Sequence, residues 1–265
     1  MNIVVPIKQV PDSNKVKMDP ETGTMIRDGV ESVVNPLDLY AIQLAVDLRD
    51  QYGGTVTAIS MGPAKAEKAI REAMSMGCDD GLLLSDRKFG GSDTWATSYT
   101  IATAIKSIDG LDLVIFGVRA TDGDTGQVGP CTAAWMDIPV ATYVSSITRI
   151  GDGSMDLERL IEGGYQQLRM PTPAVITVVK DIARPMLPTL SGKKRARRAE
   201  IPLYNKESLA FEDANLGLKG SPTRVVKILT PKVAREGRQV NAANDAAVDN
   251  AVDELVAFLE QKELI

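Results

Sequence analysis

The densest group of residues able to do chemistry is GVRATDGDTGQVGP, Gly117–Pro130, directly after the apolar run Leu111–Phe116. A glycine-rich crossing at a strand end leaves backbone N–H groups without partners, and the first turn of a following helix adds more. Gly123, Gly126 and Gly129 permit close approach, while Thr125 and Gln127 offer side-chain bonds to a phosphate, a ribose or a ring edge. Two readings stay open on these residues alone. One is a phosphate cradle for a nucleotide or dinucleotide, gripped by the amides of Thr125–Val128; the other is a crossover with only a structural role. Asp122 and Asp124 would repel phosphate, so they are expected to brace the loop through backbone amides or to hold ribose hydroxyls. A calcium loop is excluded, because Gln127 and Ala133 stand where the EF-hand pattern needs Gly and Glu. No other metal site suggests itself.

A second patch is SDTWATS, Ser92–Ser98, where Asp93 or Ser92 can cap a helix and Thr94, Thr97 and Ser98 lie in its first turns. Trp95 reads as packing. Lys8, at the end of the first strand, is either a point charge toward the same edge or an exposed lysine. Met61 reads as core. The two standard phosphate loops are absent: KQVPDSNK follows Ile3–Ile7 where GxGxxG would stand, and no GxxxxGK[ST] occurs.

Elements must bring these patches together. Asn2–Ile7, Thr55–Met61, Gly81–Leu84 and Leu111–Phe116 are strand candidates. Between them, Leu37, Ala41, Leu44, Ala45 and Leu48 repeat at helical spacing, as do apolar residues of Ala64–Met76 and of the segment after Asp93-Thr94. Asn35-Pro36 reads as a helix start, with Asn accepting an orphan amide and Pro in the first turn. This alternation predicts a parallel sheet covered by helices, with ligands outside the carboxyl ends of its strands. After Pro139 the rhythm changes. Val140–Ile150, Met155–Ile161, Tyr165–Met170 and Ala174–Lys180 are separated by glycine turns, which predicts antiparallel strands added to the sheet.

Residues 1–180 therefore read as one α/β domain carrying 16 basic and 23 acidic residues, and 181–265 as an arm with 14 and 12. The arm holds ARPMLPTLSG, the basic run KKRARR, extended pieces at Ile201–Leu203 and Thr223–Ile228, and a helix at Ala247–Phe258. Composition removes whole classes of chemistry. The 265 residues include no histidine, which excludes a Ser-His-Asp triad, a His-based zinc site and a His-ligated haem. Two cysteines, Cys78 and Cys131, make neither a four-thiolate site nor a disulfide framework. There is no apolar run of membrane-spanning length, and MNIVVPIKQV is a poor signal peptide, so a cytoplasmic chain without a membrane span is expected. A net charge of −5 argues against nucleic acid as a partner.

Six blocks, in order, resemble the beta subunit of electron-transfer flavoproteins, most of all the electron-bifurcating and nitrogen-fixation-associated group. They are IVVPIKQVPD (Ile3–Asp12), VVNPLDLYAIQLA (Val33–Ala45), SDTWATSYTIA (Ser92–Ala102), DGDTGQVGP (Asp122–Pro130), EGGYQQLRMPTPAVIT (Glu162–Thr177) and GLKGSPTRV (Gly217–Val225). The family signature is matched at Arg159, Glu162-Gly163-Gly164, Gln166, Leu168 and Pro173. Leu157 departs from it, at a packing position.

The resemblance implies an adenine-nucleotide-hydrolase-like open sheet, mostly parallel with antiparallel additions, plus a C-terminal arm embracing an FAD-binding alpha subunit. In bifurcating members the beta subunit holds a second FAD that takes hydride from NADH. One electron passes to ferredoxin or flavodoxin, the other through the alpha-subunit FAD to an acyl-CoA dehydrogenase-type flavoenzyme. Conventional members hold AMP there instead, and DGDTGQVGP together with NPLD (Asn35–Asp38) looks like the flavin-using group. Carried onto this chain, the nucleotide rests on Gly123–Gly129, with Thr94 and Thr97 from the neighbouring helix and Lys8 near the first strand. Thr125, Gln127 and Asp93 meet ribose or ribityl hydroxyls, Asn35 and Asp38 line the isoalloxazine, and Arg119 either faces an anionic flavin or is solvated. No residue is a covalent catalyst. Leu187 or Leu190 is the implied dehydrogenase anchor, beside a basic run that faces an acidic partner or the alpha subunit. A nucleotide-binding sensor of the universal-stress type, sharing the fold without redox chemistry, is the alternative of a different class.

Overall fold

In the computed structural model, which describes residues 1–12, 17–18, 25–26, 31–224 and 239–265, the apolar runs become strands buried on both faces. The order is β1 (Asn2–Pro6), β2 (Gln9–Pro11), β3 (Lys17–Met18), β4 (Met25–Ile26), β5 (Ser32–Val34), α1 (Asp38–Tyr52), β6 (Thr55–Met61), α2 (Glu67–Met76), β7 (Asp80–Leu84), α3 (Thr94–Ile105) and β8 (Leu111–Gly117). It continues with α4 (Val128–Met136), β9 (Val140–Gly151), β10 (Ser154–Ile161), β11 (Gly164–Pro171), β12 (Ala174–Val178), α5 (Leu190–Arg198), β13 (Leu203–Tyr204) and α6 (Asp245–Gln261).

A nine-stranded sheet runs β11-β10-β9-β12-β8-β1-β6-β7-β13. Its centre is parallel, β1 pairing with both β6 and β8, and the β9–β10–β11 end is antiparallel, as the glycine turns predicted. Asp152 and Gly153 sit at φ 54° and 69°, the left-handed pair a two-residue hairpin requires. Successive β1 side chains face opposite ways. Ile3 and Val5 join the core under α1 and α2, and Val4 joins the core under α3 and α4. Both faces being covered, the sheet has the layered build of an α/β protein. Because the chain moves outward to β6 and β7, then returns to lay β8 on the other side of β1, strand order reverses between β1 and β8.

The compact body extends over Met1–Lys227, so the boundary expected at residue 180 falls inside it. KKRARR forms most of α5, with its five basic residues exposed. Thr189 Oγ1 accepts from the Gly192 amide at the start of this helix, and Ala196 is buried. A Cβ on Gly192 would stand 2.2 Å from the Ser75 carbonyl, so α5 can lie flat on α2 only because that position is glycine. β13 then adds to the sheet edge beside β7. The extended piece expected at Thr223–Ile228 lies largely outside the described residues. A second unit, Ile228–Ile265, contains α6, which is longer than the expected Ala247–Phe258. Asn244 caps it, its side chain accepting from the Ala247 amide at 2.9 Å, and Val248, Val252, Leu255, Val256 and Phe258 are exposed. No helix among the described residues is long and apolar enough to cross a membrane.

Candidate functional site

At the reversal of strand order the carboxyl ends of β1, β6 and β8 and the start of α3 enclose a cleft of about 380 Å³. This is the position where open α/β sheets hold ligands. Pro6, Ile7 and Lys8 line it from β1, Met61 from β6, Phe116–Ala120 from β8, and Gly91–Thr94, Thr97 and Ile101 from α3 and its approach. The glycine-rich loop supplies Gly123 and Thr125–Gly129. Met61, expected as core, is half-buried and forms part of the wall.

The loop is shaped by few internal bonds. The Asp124 amide donates to Ala120 O at 2.8 Å, and both Asp124 (φ 54°) and Gly126 (φ 62°) take the left-handed conformation. A Cβ on Gly123 would meet open space, whereas one on Gly129 would meet Thr177 Cγ2 at 2.6 Å. Gly129 thus serves the seating of α4 on the sheet. Among the described residues the amides of Thr125 through Gly129 donate to no protein acceptor, and Pro130 has none to donate. That row of unmet donors is what an anion needs. On the facing side Thr94 Oγ1 donates to Gln127 Oε1 at 2.9 Å, joining the two rims.

The two cations on the rim are paired. Lys8 Nζ lies 2.8 Å from Asp122 Oδ1, and Arg119 Nε lies 2.9 Å from Asp124 Oδ1. The two aspartates therefore brace the loop through these cations rather than through backbone amides. Asp93 is heavily engaged: its carboxylate accepts from the amides of Trp95, Ala96 and Thr223 and from Thr223 Oγ1. Partial burial opposes its ionisation, but Thr223 and the two helix amides outweigh that and hold its carboxyl below the usual range. The Gly217–Val225 block thus explains itself in part, since Ser221 and Thr223 clasp the start of α3. No sequence signal pointed to that long-range contact. Trp95 packs on Trp135, ring centres 4.5 Å apart, and ties α3 to α4.

Asn35 and Asp38 depart furthest from expectation. Asn35 is fully buried, does not line the cleft, and caps no helix; α1 starts at Asp38 without a side-chain cap. Asp38 is 5% exposed and lies at the cleft floor. Its Oδ2 accepts from the Lys8 amide and its Oδ1 from Asn35 Nδ2, each at 2.8 Å. A Cβ on Gly117 would come within 2.4 Å of Asp38 Oδ1, so glycine at the end of β8 is what admits the carboxyl. Burial raises the Asp38 pKa to about 7, against the opposing pull of these hydrogen bonds and of the Lys8 charge.

A second, more open depression of about 480 Å³ lies between α2 and α5, lined by Met74, Asp79, Ser191, Lys194, Arg195, Arg198 and Ala199. In its wall Arg195 Nη2 donates to Met74 O and Cys78 O, each at 3.0 Å, and nearby Arg71 donates to Ala196 O and Ala199 O. Leu187 and Leu190 lie outside both concavities, each 88% exposed. Among the described residues no cluster of acidic residues and cysteines is arranged to hold a metal ion.

A model of the electron transfer flavoprotein domain matches residues 22–208. Electron transfer flavoprotein subunit beta of Thermoanaerobacterium thermosaccharolyticum is 44% identical over 256 residues, spanning 96% of this chain and 98% of the relative. Subunit CarD of the caffeyl-CoA reductase-Etf complex of Acetobacterium woodii is 40% identical over 266 residues and the whole of both chains. Protein FixA of Azotobacter vinelandii is 38% identical over 265 residues, 98% of this chain and 94% of the relative.

Proposed function

This chain belongs to the electron transfer flavoprotein family, among its beta subunits, and from that premise we propose that its cleft holds an FAD in a heterodimer with an FAD-binding alpha subunit. NADH is the hydride donor in this reading. The electrons part, one toward ferredoxin or flavodoxin and one through the alpha subunit to an acyl-CoA dehydrogenase-type flavoenzyme, all in the cytoplasm. The observation that carries the proposal is the row of unmatched amides from Thr125 to Gly129 at the β1/β8 reversal.

These amides donate to phosphate oxygens, and Gly126, with its left-handed backbone, turns the loop without a side chain in the way. The Thr94 hydroxyl and the Gln127 amide stand across the cleft mouth, ready to exchange their mutual bond for ribose or ribityl hydroxyls. Met61, Phe116 and Ile101 give a ring an apolar wall, while Asp38 and Lys8 supply polar groups on the floor. FAD, when bound, supplies hydride acceptance and one-electron transfer; the protein orients it and excludes water. Exposed Leu187 and Leu190 are the proposed anchors for the dehydrogenase, and the apolar stripe of α6 for the alpha subunit.

Cofactor released from the purified two-subunit complex decides the matter. Two FAD per heterodimer is the expected result. One FAD with one AMP would replace it by a conventional carrier with a structural nucleotide, and a complex free of flavin would overturn the redox assignment.

A further inference from the structure

We propose that Asn35 is a positioning residue, a buried latch that joins the floor of the cleft to the glycine-rich loop and holds the loop amides in place for the nucleotide. The proposal deepens the reading given above, since it concerns the same cleft.

Asn35 sits where three segments meet, following β5, which pairs with β2 just beyond Lys8. Its own amide donates to Lys8 O and its carbonyl accepts from the Asp38 amide, so its backbone is held between the end of β1 and the start of α1. The side chain spans to the third segment. Nδ2 donates one hydrogen to Asp38 Oδ1 at 2.8 Å and the other to Arg119 O at 2.9 Å, and Oδ1 accepts from the Thr121 amide at 3.1 Å. Both donors of the carboxamide are used, and its acceptor faces the loop. Residues 119 and 121 are the stem from which the loop leaves β8. Asn35 therefore takes up one acceptor and one donor of this stem, in a dry site where an unmade bond is costly. Asp38 holds the amide plane of Asn35 from the other side, and the Lys8 amide holds Asp38. The order of support runs from Lys8 through Asp38 and Asn35 to the stem at Arg119 and Thr121. An aliphatic residue at 35 could fill the space but not set the angle of the stem.

Hydrogen exchange of the loop amides, read on the two-subunit complex stripped of nucleotide, tests this without needing a ligand. N35D keeps size but loses both donors and places a carboxylate against Asp38. The bonded amides of Thr121 and Asp124 should then exchange about tenfold faster, with β1 and β8 unchanged. The exchanged pair N35D with D38N restores the bond between the two side chains with reversed polarity but leaves Arg119 O without its donor, and should recover part of the protection. FAD and AMP titrated onto the same proteins should follow the same order, with about tenfold loss for N35D and partial recovery in the pair. Loop exchange unchanged in N35D, or a pair no better than N35D, would overturn the latch. If N35D does not assemble, D38N alone carries the test, with faster loop exchange expected and unchanged exchange counting against it. A wild-type complex that binds neither FAD nor AMP would refute the nucleotide reading but leave the exchange experiment on the latch intact.

Discussion

Two concavities of similar volume lie on one compact body, and they differ in what their backbone and guanidinium groups are doing. Between α2 and α5, Arg195 and Arg71 satisfy carbonyls at helix ends, so the depression is a by-product of two helices meeting. At the β1/β8 reversal five consecutive residues keep their amides unmatched, while the groups beneath them are tied down in a buried network. Size does not mark a site. Donors that no protein acceptor uses, held on a rigid base, do, because they remain free to bond a ligand without breaking the fold.

The contrast breaks most readily at Gly126. A valine there must take a left-handed backbone that β-branched residues avoid, and G126V is expected to cost about a hundredfold in nucleotide affinity while the sheet stays folded. Titration with FAD and AMP beside circular dichroism checks both halves. At the other concavity, R195A removes two partly buried charge-assisted bonds. It should lower unfolding free energy by about 2 kcal/mol in urea, with bound nucleotide per complex unchanged. Bound nucleotide lost in R195A would show that the two places are not independent.

pH should separate them next. The folded chain keeps a proton on Asp38 up to about 7, whereas the unfolded chain releases it near the ordinary carboxylate value. Stability from this group therefore falls as pH rises through that interval, by roughly 1 kcal/mol between pH 6 and 7, and levels off above it. The chain has no histidine to mask the trend, and D38N should flatten the profile of Tm against pH. The smallest effect belongs to Lys8. K8M breaks an exposed pair with Asp122 and removes a charge that favours Asp38 ionisation, and stability should move by less than about 0.5 kcal/mol in urea.

Much of this was legible in the sequence where short-range physics decides. The strands at Thr55–Met61 and Leu111–Gly117, the glycine hairpins and the Asp93 cap all follow from apolar runs, left-handed turns and local hydrogen bonds. Asn35 misled because its neighbours in sequence, Pro36 and an amphipathic helix, suit a cap, while two of its three side-chain partners lie 84 and 86 residues away. KKRARR was legible as a charged face but not as a seated helix, because what seats it is one buried alanine, the Arg195 bonds to α2 and a glycine fitted against Ser75. Met61 was readable in principle: the last residue of a parallel strand beside the reversal of order belongs to the ligand edge as much as to the core.

The paired rim has a kinetic corollary. With Lys8 and Arg119 neutralised by Asp122 and Asp124, and Asp93 ionised beside them, the mouth presents no positive field to draw an anion across the solvent. A dinucleotide would meet its attraction only within contact range, from amide dipoles. Added salt should then not slow its capture, since there is repulsion rather than attraction to screen, and the loop would choose its ligand by shape before charge.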